Sequence, residues 1–436
     1  MDASRILREF GVIFSKENNL SQLGGLELFL AFLEKGKFQE RFESQFGKYR
    51  ARTMMQFILG LVVGAKSMND VGKVGHDALM NQFLPECVEE AQLGRDMRSF
   101  SRAMIESLHD LVMSYSILDF ARRLGHGEKL IFDIDATSVE KFGYQEGVEH
   151  GYVGTAQPEG CYQYLLVRLA NRNSFLYGTI RAGAAHSQNN FCGYLERFLP
   201  MLTEKWTNSW RGDSGYYNEQ AFDLFTKHGA TFFIKAPMTE DRLNRANISQ
   251  DMLWSPPVDG ISYASRMTMT GKKTYYREIF KRTLLQNEGQ LSLGELSSYR
   301  YDCLVTNDLL MDEDKAFEFY NGRANIENGI RELKYDYQLG KIITDDFGAN
   351  DVITQLTLLT YLLMSHFKNE VLPDNMKKMK LSTLRNQLFN IPGRLLSFAR
   401  QQFTRIQNIF VGEEVYAKIF EKLRTLNTWV LAPPGV

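Results

Sequence analysis

Residues 129–139 read KLIFDIDATSV, a short apolar run rich in β-branched and aromatic residues that ends in acids. Its length and composition predict a strand rather than a buried helix. The composition changes just before it, at Gly125-His126-Gly127. Two more strand candidates follow, 161–169 and 175–181, separated by the turn Asn171-Arg172-Asn173, with a polar, glycine-rich loop at 143–160. Residues 191–202 are amphipathic and predict a helix. Residues 209–215, SWRGDSG, predict a strand running into a turn, 218–228 a helix and 231–235 another strand. This alternation predicts an α/β domain with a mixed central sheet flanked by helices.

On the N-terminal side, residues 1–125 read as helical. They include an apolar stripe at 26–46, an apolar run at 54–63, a turn-like break at 66–70, a short helix near 77–83 and a helix at 99–115 capped by Ser99 or Ser101. Acids and bases balance there, 16 of each. A helix-turn-helix reader of DNA and a plain helical domain are both compatible with that balance. On the C-terminal side, residues 238–299 hold Thr, Ser, Gly and Tyr in strand-like alternation and read as a mostly β insertion. Residues 302–306 return to a core strand, 312–334 predict one helix, and 346–436 are helical again. Between Lys368 and Arg405 eight Lys or Arg stand against Glu370 and Asp374, which reads either as a footprint for a phosphate backbone or as a solvated helix face.

At 436 residues the chain has room for several domains with sizeable cores, and its 44% apolar and 24% charged residues are those of a globular protein. The net charge of −1 confines any polyanion-binding surface to a local patch. Cys87, Cys161, Cys192 and Cys303 form no CxxC pair and the seven histidines do not cluster near them, which argues against a zinc site or a disulfide framework. There is no signal-like N-terminal segment and no run of about 18 apolar residues, so the expectation is a cytoplasmic protein with no membrane partner.

Residues 320–334 read YNGRANIENGIRELK. At helical spacing Tyr320, Arg323, Glu327, Arg331 and Lys334 share a stripe, with Ile326, Ile330 and Leu333 opposite for burial. A solvated amphipathic helix with i,i+4 ion pairs accounts for this stripe taken alone. Two upstream aspartates end predicted elements: Asp135 closes the first strand and Asp213 sits in a turn. Ligands gather beyond strand ends in α/β sheets, so Asp135, Asp213 and Glu327 form a candidate cluster. Three oxygen donors without Cys or His suit Mg²⁺ or Mn²⁺. Two such ions about 4 Å apart would clamp the attacking and leaving oxygens of a phosphodiester. Asp133 competes with Asp135, since alternate strand residues share a face. Each aspartate alone reads more simply as a cap or turn residue, Asp213 in Gly212-Asp213-Ser214-Gly215 above all.

Taken together, three segments resemble the bacterial insertion-sequence transposases of the DDE type, the cut-and-paste group with an RNase H-like catalytic core. They are IFDIDATSV with Asp135-Ala136-Thr137, WRGDSGYYN with Arg211 two before Asp213, and the Y-(2)-R-(3)-E-(6)-K pattern of Tyr320, Arg323, Glu327 and Lys334. The resemblance spans roughly residues 50 to 410. It implies a helical DNA-binding region at 1–125, an RNase H-like catalytic domain at 126–345 with a β-rich insertion at about 238–300, and a helical C-terminal region at 346–436. It further implies a nucleoid-associated enzyme in which Asp135, Asp213 and Glu327 bind two Mg²⁺ or Mn²⁺ ions. The enzyme would hydrolyse phosphodiesters at transposon ends and transfer the freed 3′-hydroxyl into target DNA. Tyr320, Arg323 and Lys334 would contact DNA phosphates, with Arg331 assisting, and Trp254 is a candidate by type for holding a flipped base. Double-stranded DNA, as terminal inverted repeats and as target, would be the partner of at least a homodimer. A catalytically silent DNA-binding regulator and an RNase H-like nuclease without strand transfer remain alternatives.

Overall fold

The structure is a computed structural model that describes residues 17–123, 127–151, 159–172, 174–186, 188–202, 206–248, 252–285, 299–398, 401–407 and 411–426. The boundary at Gly125-His126, Asn173, the middle of the 143–160 loop and Arg400 lie outside the described residues. In chain order the strands are β1 (Leu20–Ser21), β2 (Leu130–Glu140), β3 (Glu149–Gly151), β4 (Glu159–Leu169), β5 (Ser174–Ala182), β6 (Asn208–Gly212), β7 (Thr231–Ala236), β8 (Ile261–Met269), β9 (Tyr275–Leu284), β10 (Tyr299–Thr306), β11 (Gly393–Phe398) and β12 (Gln401–Ile406). The chain divides into two compact units.

One unit holds residues 17–100, 336–338 and 363–426. Short helices dominate it. Their ends follow local chemistry: Asp77 caps Ala78–Phe83 by accepting from the Leu79 and Met80 amides, and Ser67 caps Met68–Lys73 by accepting from Asp70. The expected helix over 26–46 is split into Glu27–Lys35 and Phe38–Phe46, because Lys37 between them adopts a left-handed φ of 53°. Stacked and edge-on rings of Phe29, Phe32 and Phe367 form its core. Within the C-terminal region the structure adds a three-stranded sheet ordered β1-β11-β12. Two members of the basic stretch, Arg394 and Arg405, therefore face each other across a β pair. A third, Arg385, is committed internally, donating to the Leu61, Val62 and Asp336 carbonyls. The stretch is thus not a single basic helix face.

The other unit holds residues 101–335 and 339–362. Its sheet is ordered β3-β4-β2-β6-β7-β10-β9-β8, with β5 paired to β4. Strands β5, β4 and β2 are antiparallel neighbours, and β6 and β7 continue parallel to β2, which is the RNase H-like arrangement. Helices Phe191–Phe198 and Glu219–Lys227 cover one face, burying Phe198, Phe222 and Phe225 against Phe132, Trp210 and Phe232. Asn218 caps the second of these helices. The insertion extends this same sheet through β8 and β9. It also contains a helix, Glu240–Ile248, where the sequence suggested strand; Thr239 accepts from Arg242, and two acids occupy the first turn. The single helix expected over 312–334 is two, Glu313–Asn321 and Asn325–Tyr335, joined by the 3-10 turn Gly322–Ala324. A Cβ at Gly322 would stand 2.5 Å from Arg211 Nη1, so the guanidinium packs directly against this break.

Candidate functional site

Strands β2 and β6 run parallel, and their pairing ends with Ile134 opposite Gly212. The next residue on each strand is an aspartate, Asp135 and Asp213, and neighbouring strands lie about 4.8 Å apart. β6 stops there. Asp213 turns into the 3-10 segment Ser214–Tyr216 and accepts from the Gly215 amide at 2.9 Å, so the cap expected of it is real and uses one carboxylate oxygen. β2 continues to Glu140, so from Asp135 onward it has no β6 partner on that edge.

Asp135 accepts from the Ala136 amide at 2.9 Å, and its Oδ2 lies 3.6 Å from Arg323 Nη1. Burial pushes the Asp135 carboxyl up to about 6; the charges of Asp213 and Glu327 push the same way, and Arg323 opposes them. Asp135 therefore feels the charge of both other acids. The three are not drawn together: Glu327 is exposed in the first turn of Asn325–Tyr335, and among the described residues no group of three or more His, Cys, Asp or Glu side chains could hold a metal ion as it stands.

The cations of the stripe divide. Arg323 lies 6.0 Å over the Tyr320 ring, and its Nη1 is buried with no hydrogen-bond acceptor. Burial raises the Tyr320 phenol, which Arg323 and Lys235 pull back down. Lys334 donates to the Ser138 carbonyl at 2.8 Å, and burial lowers its pKa. Arg331 is exposed. Ile326, Ile330 and Leu333 are buried, as the pattern requires.

Asp133 is committed to a buried ion pair. It is fully buried, and Arg211 Nε and Nη2 donate to its two oxygens at 2.6 and 3.0 Å. Arg211 Nη1 donates to the Phe319 carbonyl at 2.7 Å, and the guanidinium lies 5.0 Å over the Phe319 ring. One arginine thus ties β2 and β6 to the helix end that carries Tyr320. Sequence reasoning assigned Arg211 no such work; its only trace was its place two residues before Asp213. Tyr216, the aromatic of the WRGDSGYYN segment, is a buried phenol raised well above its ordinary pKa by burial, with Asp135 and Asp213 adding to the rise. Trp254 carries the Arg282 guanidinium 4.3 Å over its ring, so one face is already covered.

Comparisons with known proteins give three results. No curated protein matches the chain. Among solved structures, an electron cryo-microscopy structure of a piggyBac transposase synaptic complex with hairpin DNA is similar at 10% identity and a TM-score of 0.42, over 84% of this chain and 80% of that one. The family described as Transposase DDE domain group 1 matches residues 16–428. With nearly the whole chain matched, this protein belongs to the group 1 transposase DDE domain family.

Proposed function

We propose that the protein is a DNA transposase whose reacting centre is formed by Asp135, Asp213 and Glu327. The observation that carries the reading is the register of the two aspartates at the ends of adjoining parallel strands, with the Glu327 charge acting on Asp135 and a buried guanidinium nitrogen beside it. A buried carboxylate that feels two further acids fits a divalent cation. The all-oxygen donor set suits Mg²⁺ or Mn²⁺, and Asp135, Asp213 and Glu327 would hold it, in one or two copies. When bound, such an ion supplies Lewis-acid polarisation of the phosphodiester and a lowered pKa for the attacking water. Glu327, from the first turn of Asn325–Tyr335, would complete the donor set. Arg323 exchanges Asp135 for a DNA phosphate, to which Nη1, without a hydrogen-bond acceptor in the structure, donates. Tyr320 and Lys334 border the same phosphates, and Arg331 adds charge from the surface. The products are a 3′-hydroxyl end and its transfer into target DNA, with the N-terminal and C-terminal regions reading the terminal repeats and two copies bringing two ends together.

Asp213→Asn tests the assignment. It removes one ligand oxygen's charge while retaining the cap to Gly215, so end cleavage should vanish while DNA binding persists or tightens. Cleavage at the original rate would remove Asp213 from the centre. Joining of cut ends to a second duplex separates a transposase from a nuclease without strand transfer.

A further inference from the structure

Beyond Asp135, strand β2 continues as a shelf that ends in a tight turn displaying two aromatic rings. Phe142 is 82% exposed and Tyr144 is fully exposed. Between them Gly143 takes a φ of +117°, which L side chains rarely adopt. The turn is held at both ends. On one side the Lys141 amide donates to the Gly160 carbonyl and its ammonium to the Gly340 carbonyl. On the other, the Glu146 amide donates to Asp345, its carboxylate accepts from the Phe347 amide at 3.0 Å, and its carbonyl accepts from the Tyr162 hydroxyl at 2.6 Å. Gln145 closes the loop by donating to the Phe142 carbonyl. Two large rings are thus held in water by an ordered backbone, which costs solvation free energy without a folded-state return.

The route from the carboxylates to this turn suggests an occupant. Arg323 faces Asp135, Lys334 is tethered to Ser138, and Gly340 meets Lys141, so residues 323–335 and 339–340 accompany β2 along its length. The exposed side of that route carries Arg331, and Lys341 lies 4.6 Å over the exposed Tyr335 ring. Cations interleaved with aromatics on one track suit a polynucleotide strand. At about 3.3 Å per strand residue, the turn lies roughly 20 Å from Asp135, about six nucleotide steps at ~3.4 Å each.

We propose that Phe142 and Tyr144 form a stacking platform for unpaired bases of the DNA strand that lies along β2, about six nucleotides from the phosphate being cut. The proposal rests on the transposase reading for the identity of its ligand. Stacking on exposed aromatics is indifferent to base identity and to charge, so this platform fixes the strand's path without reading its sequence.

The test is fluorescence anisotropy with a labelled 20-nucleotide single strand, and with the same strand in duplex, across a salt series. Phe142→Ala/Tyr144→Ala should lose at least tenfold in affinity for the single strand with an unchanged salt slope, because no phosphate contact is removed. Phe142→Trp/Tyr144→Trp should retain the affinity. Since the rings touch little protein, the thermal midpoint should not move. Equal affinity of the alanine variant and the wild type would overturn the platform while leaving DNA binding intact. Failure of the wild type to bind either probe would instead sink the transposase reading, and the platform with it. Loss of self-association of the DNA-free protein in sedimentation, without loss of affinity, would assign the rings to a contact between copies and overturn the proposal.

Discussion

Removing the Asp133 carboxylate should be among the most damaging single changes in the sheet. Asp133→Ala leaves Arg211, itself only 5% exposed, with two donors and a full charge unpaired in the core. Breaking a buried ion pair from one side costs about 3–5 kcal/mol, whereas replacing both partners with apolar groups is nearly neutral. For a unit of this size each kcal/mol lowers the melting temperature by about 2–4 °C, so the single variant should melt roughly 10 °C below the wild type. Asp133→Ala/Arg211→Met should recover much of that loss, giving a strongly non-additive cycle. Arg211→Lys keeps one charge but cannot span both Asp133 oxygens and the Phe319 carbonyl. In it, hydrogen exchange of amides 320–324 should quicken more than that of β2, because the tie to the helix end is lost. The assays are thermal unfolding followed by circular dichroism and exchange read by mass spectrometry. Single variants within about 2 °C of the wild type, or exchange at 320–324 unaltered by Arg211→Lys, would refute the view that this arginine holds the Tyr320–Arg323 segment.

Arg323→Ala should weaken DNA binding and flatten its salt dependence by about one unit of slope, measured by anisotropy; an unchanged slope would rule out a phosphate contact. Ca²⁺ in place of Mg²⁺ should permit DNA binding with little cutting in a gel assay, and full cleavage in EDTA would refute the metal-dependent centre. Lys141 offers a test by pH, since burial lowers its ammonium from 10.5 to about 8. Below pH 8 the folded and unfolded states are both protonated, so the burial cost is present in full. Between 8 and 10.5 only the unfolded state holds the proton, so stability rises with pH. Lys141→Met should therefore stabilise the protein at pH 7 by up to about 3 kcal/mol and lose that advantage by pH 10.5 in urea titrations. A gain independent of pH would show that the ammonium is solvated.

The parts of the fold legible in the sequence are those decided by neighbours in the chain. KLIFDIDATSV needs only its own β-branched and apolar content to be strand, and Asp77 and Asn218 cap helices through amides two or three residues away. Parts decided across long separations were not legible. The pattern over 312–334 is periodic enough for one helix, yet it breaks at Gly322 because Arg211, 111 residues upstream by numbering, packs against that glycine and takes the Phe319 carbonyl. The hairpin β11–β12 lies among helices, and its first strand is completed by two residues near the N-terminus. No local window contains that pairing.

The competition between Asp133 and Asp135 shows why the proposed site was half visible. Two residues apart on one strand, they point to the same face, and composition cannot rank them. What separates them is the unequal length of two strands. β6 accompanies β2 as far as Ile134 and brings Arg211 level with Asp133, in register. Asp133 is therefore flanked, paired and sealed. One residue past the last β6 partner, Asp135 has an aspartate from the neighbouring strand end as company and a guanidinium at ion-pair distance. The same element that pairs the first carboxylate with Arg211 thus leaves the second without a β6 partner, and the overhang of β2 that follows is the shelf on which Lys334 and the aromatic turn are carried. Lengthening β6 would cover Asp135 and remove the site without changing any of its residues.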